Sequence, residues 1–388
     1  MVYQLKKSVY ACLIVLLMLS CSKESIEIPF NYERNIYVKS IINDSINGNF
    51  MFDTGAWGLF FDSLFNKRPS LGYNYYYAQN SESGENLKLK FAVNAISFTP
   101  ECFRPIQTKS SFGKQCDGIV GWDLLKDQVL EVDYINSKLR ITKANDFEID
   151  TSYTKIPLIF NNNAFYVNLD VAVTDRLTVR GKYLFDLGYG GSIYFTGETV
   201  KKYQIDSIRN KKVEFGVDWG TLERRKSVGF VLRGKNIKIE NFELIEPTLE
   251  CSKDVTGVLS GGEYVGLLGN RALDHFDVVI DFVNKELYLR PNADYKKRMK
   301  FRSMGVGFID RTDICDGFIV NSIYLNSDAD KAGVKSGDII THFDGKSVKL
   351  NSEKMIKDFY ENVGKDVLIT LSRKDSVFKL TLKVKEQL

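Results

Sequence analysis

Two Asp-containing turns carry the chemistry that this sequence suggests most strongly. Asp53 begins an Asp-Thr-Gly triplet and Asp186 begins an Asp-Leu-Gly triplet 133 positions later, each directly after an apolar strand-like run. Two carboxyl groups at contact distance cannot easily both be ionised, so they share a proton and titrate as a coupled pair. The ionised member can take a proton from an attacking water, while the protonated member donates to the attacked carbonyl. The pair therefore predicts acid–base hydrolysis without a metal ion or an organic cofactor.

A duplicated domain would bring the two turns together. Further along the chain from each Asp stand two aliphatic residues and a glycine, Ile119-Val120-Gly121 after Asp53 and Leu267-Leu268-Gly269 after Asp186. The stretch from Gly121 to Asp133 and its neighbours recurs 148 positions later, from Gly269 onwards. Two echoes in the same order indicate two related halves. We place them at residues 27–150 and 151–299 and call them lobe 1 and lobe 2.

Both lobes are predicted to be rich in β-strands. Runs of β-branched and aromatic residues favour strands, and Asn136-Ser137 and Asn284-Lys285 stand between such runs, which predicts one hairpin in each lobe. Short helices are expected directly after Gly121 and Gly269. Asp133 and its counterpart Asp281 stand at strand-to-turn positions, where Asp is mostly structural, so we leave both out of the site.

Composition narrows the chemistry further. The chain has 388 residues, enough for two or three domains, and 44% of them are apolar, which is typical of a globular protein. The net charge of only +4 argues against a nucleic-acid partner. With only two His in the chain, neither a His-based metal site nor a His-dependent triad is expected, and we predict no metal ion.

The paired Asp turns and their downstream glycines resemble the bilobal pepsin/retropepsin clan of aspartic proteases, over nearly all of residues 27–295. The resemblance implies two pseudo-symmetric β-barrel lobes that each contribute one catalytic residue, Asp53 and Asp186. It also implies a peptide or an unfolded protein chain as the substrate, lying extended between the lobes. Supporting roles around the pair fall to Thr54, Gly55, Gly188, Gly121 and Gly269.

Lobe 2 departs from the pattern of that clan, in which a Thr after each Asp hydrogen-bonds the opposite loop. Thr54 can do this and Leu187 cannot, and Tyr189 replaces the small residue that usually follows the triplet. A hairpin flap covers the substrate in this clan, and the segment with Tyr75, Tyr76 and Tyr77 is our candidate for it. The same segment is equally compatible with an ordinary surface hairpin.

The N-terminus predicts export. Lys6 and Lys7 precede an apolar run of residues 11–19, too short to cross a bilayer, and Cys21 follows the small residue Ser20. This resembles a bacterial lipoprotein signal at residues 1–20, with Cys21 as the acylated first residue and a lipid anchor in the cell envelope. The alternative is a buried strand with a structural Cys21. Outside the cytosol, four more cysteines could form disulfides, in a pairing that the sequence leaves open: Cys102, Cys116, Cys251 and Cys315.

A third module is expected at residues 303–388, after a basic connector that is either a solvated face or a contact with anionic lipid. Its Ala-Gly-Val-Lys-Ser-Gly-Asp-Ile-Ile string (332–340) and its Asp344-Gly345 hairpin resemble a PDZ domain, an α+β fold. The resemblance implies that Val306, Gly307 and Phe308 capture the C-terminal carboxylate of a peptide through their backbone N–H groups. The alternative is a spacer of PDZ shape that packs on its neighbours and binds nothing.

Three functions remain open from the sequence. The preferred one is an envelope-anchored aspartic endopeptidase whose PDZ module docks peptide or protein chains. The second is a catalytically inactive peptide-binding lipoprotein, in which Leu187 has cost the site its activity. The third is an assembly scaffold in which only the PDZ module matters, and turn-capping carboxylates in an ordinary β protein are the structural alternative for the two Asp residues.

Overall fold

The computed structural model describes residues 25–62, 76–77, 90–94, 96–100, 102–219, 225–361 and 363–388. The predicted leader at residues 1–20, Cys21 and Tyr75 lie outside these residues. None of the helices within them is long and apolar enough to cross a membrane.

Strands dominate the chain, as predicted. The strands of lobe 1 are β1 (Ser25–Tyr32), β2 (Ile36–Ile42), β3 (Ile46–Asp53), β4 (Leu59–Asp62), β5 (Tyr76–Tyr77), β6 (Phe91–Val93), β7 (Ile96–Phe98), β8 (Cys102–Ile106), β9 (Gly118–Gly121), β10 (Gln128–Asp133) and β11 (Lys138–Lys143). Those of lobe 2 are β12 (Thr154–Pro157), β13 (Ile159–Asn161), β14 (Ala164–Ala172), β15 (Thr178–Phe185), β16 (Ile193–Phe195), β17 (Lys212–Trp219), β18 (Arg225–Arg233), β19 (Asn236–Ile239), β20 (Phe242–Ile245), β21 (Thr248–Ser252), β22 (Gly266–Leu268), β23 (Phe276–Asp281) and β24 (Glu286–Pro291).

The C-terminal module adds eight strands, and short helices connect strands throughout. Its strands are β25 (Arg302–Ser303), β26 (Val306–Asp310), β27 (Phe318–Tyr324), β28 (Ile339–Phe343), β29 (Lys346–Ser347), β30 (Asp366–Arg373), β31 (Ser376–Lys383) and β32 (Lys385–Glu386). The α-helices are α1 (Lys109–Phe112), α2 (Gly197–Lys202), α3 (Asn270–Leu273), α4 (Asp328–Lys331) and α5 (Ser352–Glu361), and 3₁₀ turns cover Trp122–Leu125, Ala144–Asp146 and Ile205–Ser207.

The two lobes repeat the same strand arrangement. β3 runs parallel to β9 in lobe 1, and β15 runs parallel to β22 in lobe 2. The pairing of Phe52 with Val120 in lobe 1 recurs in lobe 2 as the pairing of Phe185 with Leu268. Both predicted hairpins form, as β10–β11 and β23–β24, and Ser137 and Lys285 take the left-handed conformation (φ 53° and 58°) in their turns. A short helix follows Gly121 and another follows Gly269, as expected.

The lobes share one sheet across their boundary. β10 pairs antiparallel with β23, and Glu131 stands opposite Val279, its own counterpart in the repeat. On either side of this pair the order is β12-β24-β23 and β10-β11-β1, so the six strands are arranged about a pseudo-twofold axis. The axis relates one Asp turn to the other.

The expectation of two closed barrels is not met by the described strands. They form two large sheets, one of 14 strands through both lobes and one of 16 strands from lobe 2 into the C-terminal module. The physical reason is that edge strands pair across boundaries, β10 with β23 and β17 with β27, instead of closing on their own lobe. One apolar core runs through both lobes, while the C-terminal module has a core of its own.

The cysteine thiols of Cys116, Cys251 and Cys315 are free. Burial raises the pKa of the Cys116 thiol to about 12, so it behaves as a small apolar group in the core of lobe 1. The side chain of Cys102 lies outside the described atoms.

Candidate active site

Each Asp of the predicted pair ends a central strand of its lobe and enters a tight turn. Asp53 is the last residue of β3, and its carboxylate Oδ1 accepts a hydrogen bond of 2.7 Å from the Gly55 N–H. Asp186 directly follows β15, and its Oδ1 accepts a bond of 2.8 Å from the Gly188 N–H. The parallel strand next to each turn leaves the carboxyl group at the edge of the sheet, where it faces the opposite lobe.

The two carboxyl groups meet at the lobe boundary. Asp53 and Asp186 hydrogen-bond to each other, although 133 positions separate them in the sequence. Both side chains are half-buried, so solvent still reaches the pair. The arrangement is the one that shared-proton chemistry requires.

Close packing of the turns leaves no space for larger residues beside the pair. A Cβ atom added at Gly188 would lie 2.3 Å from the Asp53 carboxyl carbon, and one added at Gly55 would lie 3.0 Å from that of Asp186. The glycine of each turn therefore covers the carboxyl group of the other lobe, and Gly188 is the tighter of the two.

Burial and charge together set the protonation of the pair. Burial raises the pKa of both carboxyl groups, and the negative charge of Asp53 and its hydrogen bond raise the pKa of Asp186 well above the usual range. Hydrogen bonds from Asp186 and from the Gly55 N–H oppose the rise in the pKa of Asp53. The two carboxyl groups therefore titrate as one coupled pair, in which both pKa values lie above the usual range of Asp.

Thr54 links the two turns as the sequence predicts. Its buried hydroxyl donates to the Phe185 carbonyl oxygen at 2.7 Å and accepts from the Leu187 N–H at 2.9 Å. The side chain of Leu187 makes no reciprocal bond, because it carries no hydrogen-bonding group, and it is fully buried in the apolar core instead.

Two asparagines hold the turn of lobe 2 instead. The Asn270 side chain donates to the Leu187 carbonyl oxygen at 2.5 Å, and the Tyr134 hydroxyl orients it through a bond of 2.8 Å. Asn35 of lobe 1 donates to the Gly188 carbonyl oxygen at 2.7 Å. The sequence analysis did not identify these two supporting asparagines. Asn270 could have been identified, because it directly follows Gly269 of the Leu-Leu-Gly motif.

Gly121 and Gly269 pack behind the Asp turns, as the resemblance implies. The Gly121 N–H donates to the Gly58 carbonyl oxygen at 2.8 Å, and the Gly269 N–H donates to the Ser192 carbonyl oxygen at 3.0 Å. A Cβ at Gly121 would lie 2.7 Å from the Gly58 oxygen, so a larger residue there would push the turn away.

The Asp pair lies in a cleft of about 470 Å³. Apolar side chains of the β17–β18 hairpin, Phe215, Val217 and Val231, line one wall. Arg34 and Glu250 add opposite charges, and burial raises the pKa of Glu250 while the Tyr189 hydroxyl and the Arg34 charge lower it. None of these five residues was predicted, because no local pattern in the sequence marks a residue that reaches the cleft through the fold.

Tyr189 is large where the resemblance expects a small residue, and the structure gives it space. Its ring stacks on Tyr194 with the centroids 5.6 Å apart, and both rings line the cleft. The substitution therefore adds an aromatic wall and leaves the position of Asp186 intact.

The C-terminal module forms part of the same cleft. Tyr324 and Ser322 of β27 line it together with Phe301 of the connector, and the Phe301 and Tyr324 rings stack at 5.7 Å. β27 pairs with β17, and this pairing joins the module to the hairpin that lines the cleft. No sequence pattern predicted this contribution to the cleft.

The predicted flap is described only in part. Tyr76 and Tyr77 form β5, which pairs with β8, and Tyr75 and the predicted turn lie outside the described residues. The flap role stays a prediction.

The predicted carboxylate-binding segment forms a strand edge. Val306, Gly307 and Phe308 belong to β26, which follows a turn with Gly305 in the left-handed region (φ 97°). The Val306 side chain is buried in the core of the module and the Phe308 ring stacks on Phe318 at 5.1 Å. β26 pairs with β27 alone among the described strands, so its other edge takes no partner from them.

The module's own topology and the comparison with known families agree. α4 ends before Gly333 in the left-handed region, and Asp344-Gly345 joins β28 to β29, both as the sequence predicted. The PDZ domain family matches residues 303–384. This part of the chain is a PDZ domain. A search of curated proteins found no match to the chain.

Proposed function

We propose that this protein is an aspartic endopeptidase anchored in a bacterial cell envelope, with a PDZ domain that binds peptide or protein chains. The observation that carries the proposal is the hydrogen-bonded pair of Asp53 and Asp186, half-buried in a cleft between two halves of a duplicated fold. The PDZ domain itself indicates peptide or protein binding.

In the proposed mechanism, water bound between the two carboxyl groups attacks the carbonyl carbon of a peptide bond. Asp53 takes a proton from this water, because hydrogen bonds from Asp186 and the Gly55 N–H favour its ionised form. Asp186 donates its proton to the carbonyl oxygen, since burial and the neighbouring negative charge keep it protonated. The C–N bond of the resulting tetrahedral intermediate then breaks as Asp53 passes its proton to the leaving nitrogen, and Asp186 recovers a proton from a hydroxyl of the intermediate. The residues require no metal ion and no organic cofactor.

The shape of the cleft supports an extended chain as substrate. Apolar walls from lobe 2, the Phe301 ring of the connector and the Tyr324 ring of the PDZ domain line the cleft, and they favour large apolar side chains beside the cleaved bond. An unfolded or loosely folded protein would present such a chain.

The test is cleavage of a denatured protein by the full chain, followed by mass spectrometry of the peptides. Asp53→Asn, Asp186→Asn and the double variant should each lose activity by at least about a thousandfold, with the double variant no worse than either single one, because the pair works as a unit. Asp133→Asn serves as a matched control, because its carboxylate only caps the turn through Asn136. Cleavage retained by either single variant would refute the mechanism.

One observation favours a second candidate, an inactive peptide-binding protein. Leu187 is buried in the core at the position where the clan has a second Thr. Under this alternative, peptide affinity persists in Asp53→Asn and Asp186→Asn and no product forms at any pH between 3 and 8.

Anchoring is proposed from the sequence alone, through acylation of Cys21. Metabolic labelling with an alkyne-tagged palmitate should mark the intact chain and not Cys21→Ala. Equal labelling of the two would exclude the proposed anchor without touching the catalytic proposal.

A further inference from the structure

A short segment of lobe 1, residues 109–114, lies against the open edge of β26 in the PDZ domain. Helix α1 occupies its first four residues and contacts β26 directly. After Gly113, the Lys114 N–H donates a hydrogen bond of 2.8 Å to the Asp310 carbonyl oxygen. The lobe thus bonds to the backbone edge along which PDZ domains take up a peptide as an added strand.

The carbonyl group of Asp310 is one that an added strand would need. The Arg311 N–H donates to the Gly317 carbonyl oxygen across the β26–β27 pair, and in an antiparallel pair the neighbouring residue turns its polar groups the other way. Asp310 therefore presents its carbonyl oxygen to the outer edge, where Lys114 uses it.

The Lys114 side chain reaches from the β26 edge to helix α5, and we call the space between this edge and α5 the PDZ groove. Its Nζ donates to the hydroxyl of Ser352, the first residue of α5, at 2.8 Å, and to the Thr312 hydroxyl at 2.9 Å. The Asp310 carboxylate lies 3.5 Å from the same Nζ. One residue of lobe 1 thus holds both β26 and α5.

Negative charges surround this lysine. Burial raises the pKa of Glu33 in lobe 1, the negative charges of Glu353 and Asp310 raise it further, and the positive charge of Lys114 lowers it. A negative side chain at position 114 would face the Asp310 carboxylate and should break the contact.

The same segment reaches the catalytic cleft. Ser111 and Phe112, which precede Gly113, line the cleft together with Asp53 and Asp186. A movement of the segment away from β26 would therefore move a wall of the cleft.

We propose that residues 109–114 act as an internal ligand of the PDZ groove, which a peptide with a free C-terminal carboxylate must displace in order to extend along β26 past Phe308. In the closed state the lobe occupies the groove. In the peptide-bound state the groove is filled from outside and the segment lining the cleft is released.

The first test compares peptide binding by the full chain and by Lys114→Glu, both carrying Asp53→Asn so that no probe is cleaved. The probe is a fluorescein-labelled pool of octapeptides with random internal residues and a terminal Val, Leu or Phe carboxylate, followed by anisotropy. Lys114→Glu should bind at least about tenfold more tightly, since several hydrogen bonds no longer compete. Lys39→Glu, an exposed charge reversal on β2, should bind like the parent chain.

Equal affinity of the parent and Lys114→Glu, including no binding by either, would overturn the proposal. The second measurement covers the case in which Lys114→Glu does not fold. Hydrogen exchange of the Asp53→Asn chain should show faster exchange at residues 109–116 when the carboxylate pool is added, and no change with the same pool amidated at the C-terminus. Binding without faster exchange there would also overturn it. Both readouts are independent of catalysis, so they do not depend on the outcome of the cleavage experiments.

Discussion

At the scale of single residues, the two carboxyl groups are chemically unequal although the sequence repeat makes them formally equivalent. Asp186 carries the stronger tendency to stay protonated, because the charge of Asp53 faces it directly. Asp53 receives hydrogen bonds that favour its ionised form. This difference is the reason why the proposed mechanism uses Asp53 as the base and Asp186 as the acid.

The pH dependence of catalysis should follow from this inequality. We expect a bell-shaped profile of kcat/KM, in which activity falls at low pH as Asp53 gains a proton and at high pH as Asp186 loses its own. Because the folded-state pKa of Asp186 is raised, the alkaline fall should lie above the range of an ordinary Asp. The measurement is cleavage of one quenched fluorescent peptide between pH 3 and 9. A fall centred near pH 4 would contradict the assignment.

Gly188 and Gly55 should differ in their tolerance of a methyl group. Gly188→Ala places its Cβ on the Asp53 carboxyl group and should reduce kcat by at least about a hundredfold, since small displacements of reacting groups are costly. Gly55→Ala meets Asp186 at a longer distance and should lose less. Steady-state kinetics of both variants, with thermal unfolding as the folding check, decide this; a larger loss in Gly55→Ala would contradict the packing described.

At the scale of elements, parallel strand pairs place the turns and a shared sheet brings them together. β3 beside β9 and β15 beside β22 fix where each Asp leaves its strand. The β10–β23 pair holds the lobes about the pseudo-twofold axis. Thr54 then bridges the turns with two hydrogen bonds to the opposite lobe.

Thr54→Ala should therefore destabilise the chain. It leaves the buried Phe185 carbonyl and Leu187 N–H without this hydroxyl partner, which we expect to cost about 2 kcal/mol in the free energy of unfolding. Thr54→Ser keeps the hydroxyl and is the matched control. Urea unfolding measures both, and equal stability of the two variants would show that the hydroxyl does not hold the lobes.

Much of this element scale could be predicted from the sequence, and the reason is the repeat. The offset of 148 positions places Gly121 on Gly269 and identifies both hairpins before any coordinates are seen. The supports of the lobe 2 turn escaped prediction, because Asn35 reaches Gly188 from a different lobe and no local spacing connects them. The described strands show no closed barrel, and strand patterns could not have predicted the pairings across the boundaries, because they reveal which face is buried and not which edges pair.

At the scale of the whole molecule, the PDZ domain is joined to the proposed enzyme on two sides. β27 continues the sheet of lobe 2 through β17, and β26 receives a hydrogen bond from lobe 1. Phe301 and Tyr324 pack with Phe215 and Val231 in one apolar cluster beside the cleft. The PDZ signature was visible in the sequence, whereas this placement depends on surface contacts that carry no periodic pattern.

Tyr324 should therefore affect the choice of substrate although it belongs to the PDZ domain. Tyr324→Ala removes an aromatic ring from the cleft wall and should lower kcat/KM about tenfold for peptides with Phe or Leu beside the cleaved bond. Tyr324→Phe keeps the ring and should retain activity. The same loss for peptides with Ala at that position would contradict a role in side-chain recognition.

The most direct measurement is hydrolysis of a denatured protein in water enriched in oxygen-18, read by mass spectrometry of the newly formed C-termini. The account predicts that each new terminus made by the full chain carries one heavy oxygen from the attacking water, and that Asp53→Asn and Asp186→Asn make no such termini. Labelled products of equal yield from either variant, or no products from the unmodified chain at any pH from 3 to 8, would contradict it.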